Sequence, residues 1–269
     1  SVAGTNLGAR GKDGRTVYGV TLGGPILKDK LFFFVNGEYE NAPSPIQSYR
    51  LSEDGNYNQQ KNITRVTASD MQRFANALKK YGWNPGSYTD YQGKRNVYRL
   101  NTRIDWNINE CHKMMLRYNM SSSTADNNVS GASMNGNAKP VSLYSMAFRG
   151  STWQQIDKVY SLTAELNSNI GRNMYNKLTA SFTFSDINNR KCDADFPAID
   201  IYKMYDGTNY PYMYAGYDQY AYNNGIKDRT WNFADDFSLS MGKHSLTAGV
   251  ALSMTNASNC FMRYGAGYY

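Results

Sequence analysis

The sequence predicts an all-β chain: an antiparallel transmembrane β-barrel segment of about eight long strands. Three observations carry that expectation. Apolar and polar residues alternate with period two over stretches of about ten residues, which puts them on opposite faces of a strand. These stretches come in pairs joined by tight turns, and so read as hairpins. Between the pairs run much longer connections.

Each element has its own justification. In the first pair, Val17 to Ile26 and Leu31 to Asn41 flank Leu27-Lys28-Asp29-Lys30. The second pair is the clearest. Leu100, Thr102, Ile104, Trp106 and Ile108 share one face, and Arg99, Asn101, Arg103, Asp105 and Asn107 share the other. After the turn Glu110-Cys111-His112-Lys113, Met114, Leu116, Tyr118 and Met120 alternate with Met115, Arg117, Asn119 and Ser121. The third pair, Lys158 to Ile170 and Met174 to Ser185, turns at Gly171-Arg172-Asn173. The fourth, Thr230 to Ser240 and His244 to Met254, turns at Met241-Gly242-Lys243. Near Asp235-Asp236 the alternation falters, and a β-bulge is expected there. Strands this long exceed the roughly five or six residues usual in globular sheets.

The long connections, residues 42–97, 124–157 and 188–228, alternate strictly with the tight turns. Short turns at one end and long loops at the other describe an outer-membrane barrel with periplasmic turns, extracellular loops, an apolar outer band and a polar lumen. A soluble sandwich would show shorter strands, with turns every 8–12 residues. A helix over residues 69–81 interrupts the β pattern in the first long loop. Ser69 is its expected N-cap, Gln72 follows three positions on, Met71, Phe74 and Leu78 line one face, and Gly82 ends it. Packing within the loop is its expected role.

Composition agrees. Charged residues are only 19% of the chain while Tyr alone supplies 23, which suits strands wet on one side and apolar on the other. No apolar run approaches the ~20 residues of a membrane helix. The net charge of +7 is dispersed, without the Lys/Arg runs that would mark a nucleic-acid partner.

Catalytic and metal chemistry find little footing. His112 and His244 sit in or beside tight turns next to Lys, as solvated turn residues. No Gly-x-Ser-x-Gly elbow occurs, and Gly8-Ala9-Arg10-Gly11-Lys12 lacks phosphate-loop spacing. The expectation is therefore no enzyme, no cofactor and no metal. Tyr205-Asp206-Gly207-Thr208-Asn209 reads as a turn rather than a Ca²⁺ loop. Of the paired carboxylates Asp193/Asp195, Asp235/Asp236 and Glu38/Glu40, the last falls on the polar face, within reach of Arg99, Arg103 or Arg117. The third long loop is crowded with Tyr. Tyr210, Tyr212, Tyr214 and Tyr217 are the candidate substrate contacts, since tyrosine offers a large apolar face and a polar tip at low entropic cost. Loop–loop packing is the alternative reading of the same residues.

Several motifs carry a family resemblance. Gly23-Gly24-Pro25-Ile26-Leu27-Lys28-Asp29-Lys30 followed by Leu31-Phe32-Phe33-Phe34-Val35-Asn36-Gly37-Glu38-Tyr39-Glu40 resembles the early barrel of TonB-dependent outer-membrane receptors, in the OmpA-related, Oar-like branch that carries a carboxypeptidase-regulatory-like domain. Asn101-Thr102-Arg103-Ile104-Asp105-Trp106, Phe196-Pro197-Ala198-Ile199-Asp200-Ile201 and Asn232-Phe233-Ala234-Asp235-Asp236-Phe237 are similar to later segments of that family, in order. The resemblance implies outer-membrane lipid as surroundings, a TonB complex acting through a plug, a surface lipoprotein as a further partner, and import, export or display of a bulky solute or peptide. Neither plug nor TonB box is visible in the sequence. Residues 1–269 are thus expected to form part of a larger barrel. The rival expectations are a complete eight-stranded barrel with a structural or adhesion role and a soluble carbohydrate-binding sandwich. With the tight turns periplasmic, Cys192 and Cys260 both fall on the extracellular side, where an oxidising compartment makes a disulfide between them a candidate.

Overall fold

The computed structural model describes residues 14–46, 49–89, 91–192 and 194–269. Gly8 to Lys12 and Asp193 lie outside the described residues. The strands are β1 (Thr16–Leu27), β2 (Leu31–Pro45), β3 (Arg50–Ser52), β4 (Ile63–Thr67), β5 (Gln92–Asn107), β6 (His112–Asn127), β7 (Met146–Ala147), β8 (Trp153–Ile170), β9 (Met174–Cys192), β10 (Ile199–Tyr205), β11 (Thr208–Ala215), β12 (Asn224–Met241) and β13 (His244–Cys260). A single α-helix among the described residues, α1, spans Ala68–Lys80.

Eight long strands form one antiparallel sheet in the order β1-β2-β5-β6-β8-β9-β12-β13. They are the four expected hairpins, lengthened at their loop ends to between 12 and 19 residues. Period two decides their faces. Across the sheet, Thr102, Tyr118, Leu162, Phe182, Trp231 and Met254 stand in one row. The neighbouring row on the opposite face holds Asn101, Asn119, Ser161, Thr183, Thr230 and Thr255. The apolar face stays open, with Leu162, Leu178 and Trp231 each more than two-fifths exposed, as suits a wall that meets lipid.

Three expectations change on contact with this register. No bulge interrupts Asp235-Asp236, where pairing with β9 and β13 is continuous. Both acids are accommodated instead. Asp235 accepts from Asn176 Nδ2 at 2.6 Å. Asp236 lies over Gly249, where an added Cβ would sit 2.3 Å from Asp236 Oδ1. The helix begins one residue early because its N-cap is Thr67 rather than Ser69, Thr67 Oγ1 accepting from Asp70 N at 3.2 Å. Its end is as read: Gly82 takes φ +86°, and the amides of Gly82 and Trp83 turn back to the Lys79 and Leu78 carbonyls, a Schellman closure. Finally, the sheet does not close on itself as an eight-stranded barrel. Among the described residues β1 pairs only with β2 and β13 only with β12.

The compact apolar core lies in the three long loops rather than in the sheet. Helix α1 buries Met71, Ala75 and Leu78 against Val66, Phe148 and Tyr212. A second cluster gathers Val129, Met134, Ala194, Tyr214 and Tyr217. The three-stranded sheet β10-β11-β7, with β7 parallel to β11, joins the second and third loops. The loops together make one folded cap.

Candidate functional site

The polar face of the sheet is the first part of the site. Glu40 on β2 is only 2% exposed. It accepts from Arg15 at 2.8 Å and Arg99 at 3.2 Å, with Arg95 at 3.9 Å. Arg99 also reaches Glu38 at 3.6 Å, so the expected pairing of Glu38 and Glu40 holds with Arg99. Arg103 takes a different partner, forming two 2.7 Å bonds with Asp105 of its own strand. Arg117 makes no ion pair among the described residues. Lys177 bridges Glu165 at 3.1 Å. Between the ions run neutral steps: Asn101 to Asn119 at 2.6 Å, Asn119 to Ser161 at 3.2 Å, and Asn232 to Ser181 at 3.3 Å. These pairs follow from strand alternation, since directly opposed residues share a face about 5 Å apart. The surface offers exchangeable donors and acceptors with both charge signs, suited to passing or holding a polar solute.

The cap is the second part, and its centre is a residue that strand alternation alone does not single out. Arg65 on β4 is 2% exposed. Its Nε donates to the Tyr144 carbonyl at 3.1 Å and Nη1 to that of Met204 at 3.3 Å. Its Nη2 donates to the carbonyls of Lys203, Tyr210 and Pro211 at 2.8, 3.2 and 3.2 Å. The Tyr205, Tyr210 and Tyr212 rings lie 5.3, 5.9 and 4.9 Å from its guanidinium. One buried cation thereby ties all three loops, its charge met by carbonyl dipoles and ring faces. The sequence signal was an Arg inside the β-branched run Ile63-Thr64-Arg65-Val66.

Two further latches complete the cap. Asp218, fully buried, accepts from the amides of Ser130, Tyr220 and Ala221 and from the hydroxyls of Ser130 and Ser133. Asp70 at the start of α1 accepts from Tyr212 Oη at 2.6 Å and Lys203 Nζ at 3.0 Å. The Tyr212 hydrogen bond, aided by Lys203, holds the Asp70 carboxyl below its usual range, while burial pushes the Tyr212 hydroxyl up. Asp54, bound by the Asn56 amide, is held down to about 2.

The tyrosine candidates are now placed. Tyr212, Tyr214 and Tyr217 are packed inside the cap. Tyr214 donates to the Tyr217 carbonyl, and burial drives its hydroxyl far up. Tyr210 stacks on Tyr144 with ring centroids 4.7 Å apart. Three of the four are therefore buried in loop packing, and Tyr210 alone is half-buried. Tyr205 to Asn209 is the β10–β11 hairpin turn, with positive φ at Asp206 and Gly207. The Cys192–Cys260 disulfide does not fit the sheet. β12 runs between β9 and β13, so the two strands stand roughly 10 Å apart, beyond the ~7 Å Cα span of a disulfide. Cys192 Sγ instead accepts from Asp218 N at 3.0 Å.

An antiparallel wall with an apolar outer face, a polar inner face, tight turns at one end and a folded cap at the other defines an outer-membrane β-barrel protein. The chain belongs to the outer membrane beta barrel domain family, whose model matches residues 5–269. It is similar in fold to the crystal structure of the outer membrane transporter YddB from Escherichia coli, with a TM-score of 0.56 at 10% sequence identity. That likeness covers 93% of this chain and 26% of the transporter, so the chain spans about a quarter of its length. No curated protein matches.

Proposed function

We propose that the chain is the early wall and part of the extracellular cap of a TonB-dependent receptor of the Oar-like kind, moving a bulky solute or peptide across the outer membrane. One observation carries this reading: the wall is wet on its inner face and, among the described residues, pairs on one side only at each edge, with a folded cap over its extracellular end. A closed eight-stranded barrel would fill its interior with side chains, whereas this sheet leaves the side chains of Arg99 and Arg103 about two-fifths exposed on its polar face. The fold likeness to a transporter supports the same direction. In this reading the TonB complex acts through a plug, a surface lipoprotein helps to capture the solute, and the chain carries out no catalysis.

The test is a comparison of solute uptake in the wild-type strain, a strain lacking this gene and a strain lacking TonB. The same peptides or glycans are expected to stay in the medium of both deletion strains. Uptake that persists without TonB, or that ignores loss of the gene, overturns the proposal.

A further inference from the structure

The outer face of the wall changes character abruptly near its extracellular end. Tyr160 and Phe184 on β8 and β9, with Phe182 and Trp231 on β9 and β12 one row below them and level with Leu162, form part of an aromatic girdle above Leu178 and Phe233. One step above that girdle, still on the outward face, stand Lys158 and Lys227, and Arg229 stands in the girdle's top row beside Phe184. Register fixes their placement. Arg229 faces Phe184, which faces Tyr160; one step higher, Lys227 faces Asp186, which faces Lys158. The shifts in register lie beyond these positions, between Ile156 and Lys158 and between Asn224 and Ile226, so all three cations share the face of Trp231. At ~4.8 Å per strand and ~3.4 Å per residue, Lys158 and Lys227 stand about 10 Å apart, Lys227 and Arg229 about 7 Å, and Lys158 and Arg229 about 12 Å.

All three are exposed, and none makes an ion pair among the described residues. Asp186 sits between two of them and, among the described residues, accepts only a 3.4 Å bond from Asn189, which leaves the patch at a net +2. Unpaired cations at the top of an aromatic girdle lie at the depth of the lipid headgroups. In the outer leaflet of this membrane those headgroups are the phosphates of a glycolipid.

We propose that Lys158, Lys227 and Arg229 form a binding site for the phosphate groups of an outer-leaflet glycolipid. The aromatic girdle beneath would hold the acyl chains while the cations grip the headgroup, fixing one lipid against the β8–β12 wall. This inference rests on the membrane location and is independent of what the barrel transports.

The experiment uses the full-length protein in detergent, with lipid binding followed by native mass spectrometry. The probes are bisphosphorylated lipid A, the same lipid without phosphates, and inorganic phosphate. Wild-type protein is expected to prefer the phosphorylated lipid by about tenfold or more. The K158Q/K227Q/R229Q variant is expected to lose that preference, and K158R/K227R/R229K to keep it. K79Q/K80Q, on the cap helix, is expected to change nothing. Equal wild-type binding of lipid A with and without phosphates overturns the proposal, as does full affinity in the triple Gln variant. Competition by inorganic phosphate at millimolar concentration would make the site one for a free anion and overturn the lipid assignment. The wild-type comparison stands even if the triple Gln variant fails to fold.

Discussion

At the scale of single residues, buried polar groups decide how the cap holds together. Arg65 donates to five carbonyls, and substitution by Met would strip those acceptors of their partner. We expect Arg65→Met to cost about 2–4 kcal/mol of local stability, since each unsatisfied buried group carries a desolvation penalty. Hydrogen exchange should show lost protection in β4, β10 and β11 while β8 and β9 are unchanged. Asp70 supplies a pH dependence. Its folded pKa is depressed, so its stabilisation is complete above the ordinary carboxyl value of 3.8 and fades as pH falls through the lower folded value. D70N should flatten that acid limb when near-UV circular dichroism of the cap is titrated; an unchanged limb would assign it to other carboxylates. Tyr212→Phe loses a hydrogen bond to an ionised acceptor, about 1.5–3 kcal/mol. Gly216 is the strictest position: φ is +89°, and a Cβ would lie 1.9 Å from the Pro197 carbonyl oxygen. Gly216→Ala should therefore cost about 3 kcal/mol or more, read as proteolytic opening of the cap.

At the scale of elements, strands and helix differ in how far local pattern reaches. All eight long strands were legible because alternation is local: Leu178, Ala180, Phe182 and Phe184 need only their own sequence to share a face. Strand ends were less legible. Trp153 to Asp157 and Asn224 to Arg229 lengthen β8 and β12 where the loop side of the sheet meets the cap, and no period marks that boundary. The helix was readable from its apolar face and its terminal Gly, yet its cap shifted to Thr67, which completes β4 as well as starting α1. A lipid-facing substitution tests the strand faces. Leu178→Arg is expected to cost roughly 2–4 kcal/mol in a refolding titration into bilayers, against near zero for Thr179→Arg on the polar face. Equal costs would contradict the face assignment.

At the scale of the whole molecule, the sheet and the cap draw stability from different solvents. The sheet is held by interstrand hydrogen bonds in lipid, whereas the cap has a water-shielded apolar core centred on Phe148 and Tyr214. The two should come apart separately on denaturation. Near-UV tyrosine signals are expected to vanish at lower denaturant than the far-UV strand signal, and a single coincident transition would show one cooperative unit instead. The same division explains the tyrosines. A crowded Tyr loop is compatible with ligand contact or with packing, and only the approach of the other two loops put Tyr212, Tyr214 and Tyr217 inside.

The sequence by itself determined the strands, their faces, their pairing into hairpins and the membrane they suit, because each depends on alternation and turns within a few dozen residues. The tertiary structure alone decided what stands beside what. β12 separates Cys192 from Cys260, Asp235 and Asp236 stay in register, and Arg65 meets carbonyls up to 146 residues away. Those outcomes depend on strand order and on loops closing over one another, and no local period records how distant segments share space.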